Sequence, residues 1–214
     1  MATKKKLICF DMDGTLLDAT MSHAKAYFKS IEKNNLRKVS KKKLLFNFGL
    51  VGKVVIRKTY PKLSEKEIKK IIKDHFYFLM NETYKSAKPI NGVKNTIKSL
   101  RKNFKIALIS NCNRKSMLIL LKKTGFKKEW FDLILGSDGI KNPKPAPDSI
   151  LKAEKLLKMK AEYMVGDTIY DIKAGKAAKT KTIAVLTGNH TRKRLKKENP
   201  YLIVKSVAKL RKIL

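Results

Sequence analysis

Apolar positions along this 214-residue chain fall into two textures. One is the short continuous run: Leu7-Ile8-Cys9-Phe10, then residues 105–109, 131–136, 163–165, 182–186 and 201–204. Runs of this length bounded by Gly, Asp, Ser or Asn predict strands buried on both faces. The other texture is helical spacing, as in Ala24, Tyr27, Phe28 and Ile31. Ser40 stands where it can cap a helix carrying Leu44, Leu45 and Phe48, and Gly49 and Gly52 bracket the turn that follows. Ser64 and Glu67 have the capping-box order ahead of Ile68, Ile71 and Ile72, and that helix runs on through Phe76, Leu79 and Met80. Further helices are predicted over 92–103, 114–124, 146–157, 170–178 and 207–214, with Gly125 ending the second of them.

The order of these elements sets the architecture. One strand is followed by an all-helical stretch over 18–88, and only from Pro89 do strands and helices alternate. Alternation predicts an α/β protein with a parallel sheet, helices on both faces and right-handed crossovers. Ligands of such sheets bind beyond the carboxyl ends of the strands. The chemistry-bearing residues fall there: Asp11 and Asp13, Ser110 and Asn111, Asp167 and Asp171, with Lys144 on a loop stiffened by Pro143, Pro145 and Pro147.

Composition narrows the class without naming a function. A hydrophobic content of 43% is that of a globular chain, and no apolar run is long enough to span a bilayer. The basic start before Leu7 leads into an apolar segment that stops at Asp11, too short for a signal peptide, so a cytoplasmic protein is expected. Cys9 and Cys112 have no metal or redox spacing and call for no disulfide; Cys112 follows a strand and is expected near the site. The net charge of +34 comes mostly from lysines spread along the chain, with no basic–aromatic motif. It predicts no specific nucleic-acid partner and no membrane partner, only non-specific, salt-dependent association.

The first strand ends in Asp11-Met12-Asp13-Gly14-Thr15. If extended, it points both carboxylates the same way, an arrangement suited to a divalent cation together with a nucleophile or proton carrier. Taken with Ser110-Asn111, Lys144-Pro-Ala-Pro147 and Gly166-Asp167-x-x-x-Asp171, the set resembles the haloacid dehalogenase superfamily, in its branch with a helical cap after the first motif and with phosphoglycolate phosphatases as the nearest pattern. The resemblance runs over essentially the whole chain. It implies a Rossmann-like core of 1–17 and 89–214 and a cap of 18–88. It also implies Mg2+ as cofactor, held by Asp11, Asp13 (through its carbonyl), Asp167 and Asp171, the last in a supporting place. By the same resemblance Asp11 is the nucleophile forming an aspartyl-phosphate, and Asp13 the acid and then base. Ser110, Asn111 and Lys144 bind the phosphoryl group, and Lys144 also pairs with Asp11. The implied substrate is a small phosphorylated metabolite, with 2-phosphoglycolate first. His23, Lys53, Arg57 and Lys58 are the cap residues expected to meet the leaving group, and Asp18 shapes the entry to the cap. A sugar-phosphate mutase of the beta-phosphoglucomutase type, which His23 recommends, and a pyrophosphatase are the competing reactions.

Overall fold

The central strand β1 (Lys6–Phe10) carries the site, and its composition explains its place. Ile8 and Phe10 enter one apolar cluster and Leu7 and Cys9 the other, so both faces are buried, as alternation along a strand requires. The computed structural model describes residues 5–214; the basic start of the chain, residues 1–4, lies outside the described residues. After β1 comes a short strand β2 (Leu17–Asp18), then four helices: α1 (Thr20–Lys33), α2 (Lys41–Leu45), α3 (Gly52–Thr59) and α4 (Glu65–Asn81). Strand β3 (Lys88–Pro89) follows, and then α5 (Val93–Leu100), β4 (Phe104–Ile109), α6 (Arg114–Thr124), β5 (Leu133–Leu135) and α7 (Asp148–Leu157). The chain closes with β6 (Ala161–Gly166), α8 (Ile169–Ala177), β7 (Lys181–Val185), α9 (Arg192–Lys196) and β8 (Leu202–Val204).

Six strands form a parallel sheet in the order β5-β4-β1-β6-β7-β8. The chain fills one side of β1 with β4 and β5, then crosses to the other with β6, so β1 is flanked at the point where strand order reverses. Register levels the strand ends: Phe10 pairs with Leu108 on one side and with Val165 on the other. Asp11, Ser110 and Asp167 therefore leave the sheet at nearly the same height.

The helical insert has its own apolar centre of Tyr27, Leu44, Val55, Ile56, Ile68 and Ile71. Ser40 and Ser64 cap α2 and α4 as the sequence predicts, Ser64 within a complete capping box with Glu67. Helices α1 and α4 are tied by Ser30 Oγ donating to the Ile71 carbonyl at 2.7 Å and by Lys33 and Asn34 donating to the Asp74 carboxylate at 2.7 and 2.8 Å. The insert is entered and left through β2 and β3, an antiparallel pair of two rungs that the sequence did not predict because two residues carry no periodicity. Asp18 accepts from the Thr20 amide at 3.0 Å and so turns the chain into α1, the place expected of it. The final predicted helix is instead a 3-10 segment, Val207–Lys212, and α9 went unpredicted, its five residues too few for a period to register.

Candidate active site

Two clusters of side chains meet at the end of β1. The deeper one is built from Asp11, Lys144, Asp167 and Asp171. Lys144 Nζ lies 2.6 Å from Asp11 Oδ1 and 2.7 Å from Asp171 Oδ1, and the lysine is only 3% exposed. A buried ammonium persists only when paired, and here two carboxylates hold it. Asp171 does two jobs. Its Oδ2 accepts from the Thr168 amide at 3.0 Å and hydroxyl at 2.6 Å, closing a capping box at the start of α8, while Oδ1 faces Lys144. One oxygen thus serves the helix terminus and the other the lysine.

Asp167 sits between, accepting from the Thr15 hydroxyl at 3.3 Å and the Asn189 amide at 3.3 Å. It fits because neighbouring positions lack side chains. A Cβ at Gly14, whose φ is +81°, would lie 2.6 Å from Asp167 Oδ2; one at Gly188 would overlap that carboxylate, and one at Gly166 would overlap Asp171. Thr187 Oγ1 donates to the Gly14 carbonyl at 2.5 Å and pins this turn to the loop after β7.

Electrostatics show what this cluster wants. Burial pushes the Asp11 carboxyl up to about 7, the negative Asp171 and Asp13 adding to the rise and Lys144 opposing it. Asp167 is likewise raised well above the carboxylate range, by burial first and then by Asp11 and Asp171. Burial works against the Lys144 charge, but Asp11 and Asp171 outweigh it and keep it a cation. Fully ionised, the three buried carboxylates around one ammonium would leave two negative charges uncompensated. Their oxygens lie within 4.8 Å of one another, a hard-oxygen set that fits a dication such as Mg2+.

Ser110 and Asn111 close the site from β4. Asn111 Oδ1 accepts from the Lys144 amide at 3.0 Å, while Nδ2 donates to the Lys144 carbonyl at 2.9 Å and to the Gly49 carbonyl of the insert at 2.8 Å. One amide group therefore fixes the lysine loop to β4 and touches the insert. Gly49 (φ +98°) approaches so closely that a Cβ would lie 2.8 Å from Thr168 Cγ2. Ser110 Oγ accepts from the Cys112 amide at 3.1 Å, and the helix cap is supplied three residues later by Asn113.

The second cluster faces the insert. The chain leaves extended geometry after Asp11, since the amides of Leu16 and Leu17 both return to the Met12 carbonyl. Asp13 faces the same cavity as Asp11 but has different partners: its carboxylate joins Cys112 Sγ at 3.3 Å and His23 Nε2 at 3.7 Å. His23 Nδ1 lies 3.3 Å from His75 Nε2, and His75 stacks on Tyr27 with ring centroids 3.8 Å apart. His75 was not singled out in the sequence: one apolar-face histidine in a long helix carries no signal of its own.

Both clusters open into a cavity of about 330 Å³ between sheet and insert, walled on the insert side by Tyr27, Phe48, Leu50, Val51 and Phe76. His23 and Lys53 reach it. Lys53, however, is paired with Glu65 at 2.7 Å and largely exposed. Arg57 lies outside the cavity: it pairs with Glu65 at 2.6 Å and donates to the Leu63 carbonyl, so its guanidinium braces the α3–α4 connection rather than facing a ligand. Lys58 is exposed and also outside.

Among the described residues, no helix is long and apolar enough to cross a membrane. The sequence pattern of the haloacid dehalogenase-like hydrolases matches residues 8–185. A phosphoglycolate phosphatase of Aquifex aeolicus is 31% identical over 189 residues, covering 86% of this chain and 85% of its own. The pyrophosphatase PpaX of Halalkalibacterium halodurans is 28% identical over 181 residues, 83% of this chain and 82% of its own. Among solved structures, a hydrolase from Pseudomonas syringae superposes with a TM-score of 0.87 at 18% identity, covering 97% of this chain and 96% of its own. A protein of Haemophilus somnus described as a predicted phosphoglycolate phosphatase gives 0.88 at 22% identity, over 100% and 99%. The fold, the strand-end acids and the match over most of its length agree: the chain belongs to the haloacid dehalogenase-like hydrolases.

Proposed function

We propose that this enzyme is a Mg2+-dependent phosphatase that hydrolyses a small phosphorylated metabolite through an aspartyl-phosphate on Asp11. The observation that carries the reading is the placement of Asp11 at the mouth of the central strand, 2.6 Å from a buried lysine and facing the cavity. A carboxylate attacks a phosphate ester only if the repulsion between two anions is screened, and Lys144 provides part of that screening. Asp11, Asp167 and the Asp13 carbonyl, with Asp171 behind them, would hold Mg2+, which when bound would supply the remaining positive charge and favour ionised Asp11.

The steps follow from the remaining residues. An Asp11 oxygen bonds to phosphorus as the ester bond breaks, and Asp13 gives its proton to the departing alkoxide. Asp13, now ionised, takes a proton from water as that water bonds to phosphorus, and the bond to Asp11 breaks with release of phosphate. Ser110 Oγ, the Asn111 amide and Lys144 hold the phosphoryl oxygens where charge builds. The insert, residues 18–88, acts as the cap over the core of 1–17 and 89–214, and contact between Gly49 and Asn111 favours a closed arrangement that keeps bulk water out.

2-Phosphoglycolate is the first substrate candidate, from the Aquifex relative, and pyrophosphate the second, from the PpaX relatives. The apolar insert wall and the engagement of Lys53 with Glu65 mean that a carboxylate or second phosphate is met only if Lys53 lets go of its partner. The mutase reading rests on His23 beside Asp13 and predicts isomer conversion after bisphosphate priming, with little net phosphate release. Two reduced cysteines suit the cytoplasm. The deciding experiment is phosphate release across a panel of phosphorylated metabolites, pyrophosphate and sugar phosphates, with and without Mg2+. Release from at least one ester that stops on chelation is expected; no release from any member sinks the phosphatase.

A further inference from the structure

The cluster on the insert side has a composition that phosphate hydrolysis does not require. Its three closest atoms are a carboxylate oxygen, an imidazole nitrogen and a thiol sulfur, all facing the cavity and all contributed by separate segments: the turn after β1, the start of α1 and the loop after β4. We propose that Asp13, His23 and Cys112 form a thiophilic divalent-metal site, separate from the oxygen cluster around Asp11, and that zinc held there arrests the enzyme.

The distances carry the proposal. Tetrahedral zinc with one sulfur, one nitrogen and one oxygen ligand at their usual bond lengths sets the donor atoms about 3.3–3.6 Å apart. Here Cys112 Sγ lies 3.3 Å from Asp13 Oδ2 and 3.6 Å from His23 Nε2, and the nitrogen lies 3.7 Å from that oxygen. The two sulfur distances already match, the nitrogen and oxygen must close by only a few tenths of an ångström, and the fourth position opens to the cavity.

Two further observations point the same way. His23 presents Nε2 to the triangle while its Nδ1 faces His75 Nε2 at 3.3 Å, the outer partner that orients a ligating imidazole. Asp13 Oδ1 is shielded from solvent and has no partner among the described residues, an acceptor that a nearby cation would relieve. Magnesium is a poor occupant, because it takes hard oxygens in octahedral array; thiolate with imidazole selects zinc. Metal binding would release to solvent both the Cys112 thiol proton and any proton on His23 Nε2, since a thiolate and a neutral imidazole are the ligating forms. Arrest follows because the oxygen that zinc engages belongs to the residue that must carry the leaving-group proton; this consequence rests on the phosphatase reading, the binding site does not.

The test uses Co2+ as a spectroscopic stand-in, added to the intact protein in excess Mg2+. One equivalent should give a thiolate-to-cobalt charge-transfer band with the strong visible bands of a four-coordinate ion, and zinc should bleach both. Cys112→Ser should abolish the charge-transfer band and weaken binding by about tenfold or more, and His23→Ala should weaken it comparably, each with its melting temperature measured to show that it is folded. Cys9→Ala, which removes the other cysteine, should keep the band. No band in the wild type, or a band that survives in Cys112→Ser, overturns the site. In parallel, zinc should suppress phosphate release as the band is bleached, and added Mg2+ should not restore it; full turnover with the site loaded overturns the arrest. A protein that shows the band but releases phosphate from no ester keeps the site and loses the phosphatase reading instead.

Discussion

The sheet and the helical insert face each other across one cavity, yet they hold their polar residues in opposite ways. On the sheet side, the deep cluster is buried and over-determined: Lys144 between two carboxylates, Asp171 shared by a helix cap and an ion pair, Asp167 lodged against glycine. On the insert side the cavity wall is mostly apolar, its buried polar groups are the His23–His75 pair, and the lysine and arginine nearest to it pair with Glu65 in solvent. The difference separates two tasks. Chemistry at phosphorus needs fixed charges whose positions do not relax, whereas admitting and covering a leaving group needs a surface that can shift.

Breaking the sheet side should have the largest effect. Asp11→Asn removes the attacking oxygen and should lower turnover of an aryl phosphate by at least about 10^4-fold. It also removes one of three crowded acids, so its melting temperature in Mg2+-free buffer should not fall. Next comes Gly188→Ala, which touches no ligand but forces Asp167 to move; a displacement of this kind should cost about 10²-fold in kcat/KM. The Mg2+ concentration for half-maximal activity should rise with it.

The two sides should also part company in acid. His190, behind α8, accepts from the Ile169 amide at 3.0 Å, and burial, helped by Arg194, lowers it from 6.5 to about 4. Its neutral form stabilises the fold fully above the unfolded value of 6.5; stability is lost as pH falls from there toward about 4. In the insert, burial alone would raise Asp74, but Lys33 and Asn34 outweigh it and hold it below the ordinary range. Its stabilisation is present above the ordinary carboxylate value of 3.8 and disappears only as pH falls through the lowered one. Melting temperature against pH should therefore bend first in the upper window, a bend that His190→Gln flattens, and again below it. Asp74→Asn should reduce stability near neutrality by about 1–2 kcal/mol without altering KM. The smallest effects belong to Lys53→Ala and Arg57→Ala, each within about 1 kcal/mol in stability. A large rise in KM for Lys53→Ala alone would show that it abandons Glu65 for substrate.

The same contrast explains what could be read from the sequence. Strand ends were legible because apolar runs stop abruptly at charged residues, so the run ending at Phe10 led directly to Asp11, and the one ending at Gly166 led to Asp167. Helix caps at Ser40, Ser64 and Asn113 obey local rules, and the first two were readable for that reason. His75 and Tyr27 were not readable as site residues, since only the packing of α1 on α4 brings them beside His23. Arg57, one of the cap cations expected to meet the leaving group, turns instead to Glu65, eight residues on, a partner that spacing alone does not reveal. Nor did spacing reveal the split between Asp11 and Asp13: an extended strand would have kept them together, and it is the tight return to Met12 that parts them.

The glycines around the acids have a consequence for transplantation. Copying Asp11, Lys144, Asp167 and Asp171 onto another parallel sheet would carry over the charges but not the room they occupy, because that room is recorded at Gly14, Gly166 and Gly188. A recipient with any side chain at the last of these would push its acid out of the pocket before an ion could reach it. The centre is inherited as a cast together with its mould, and the mould is written in residues that have no side chain.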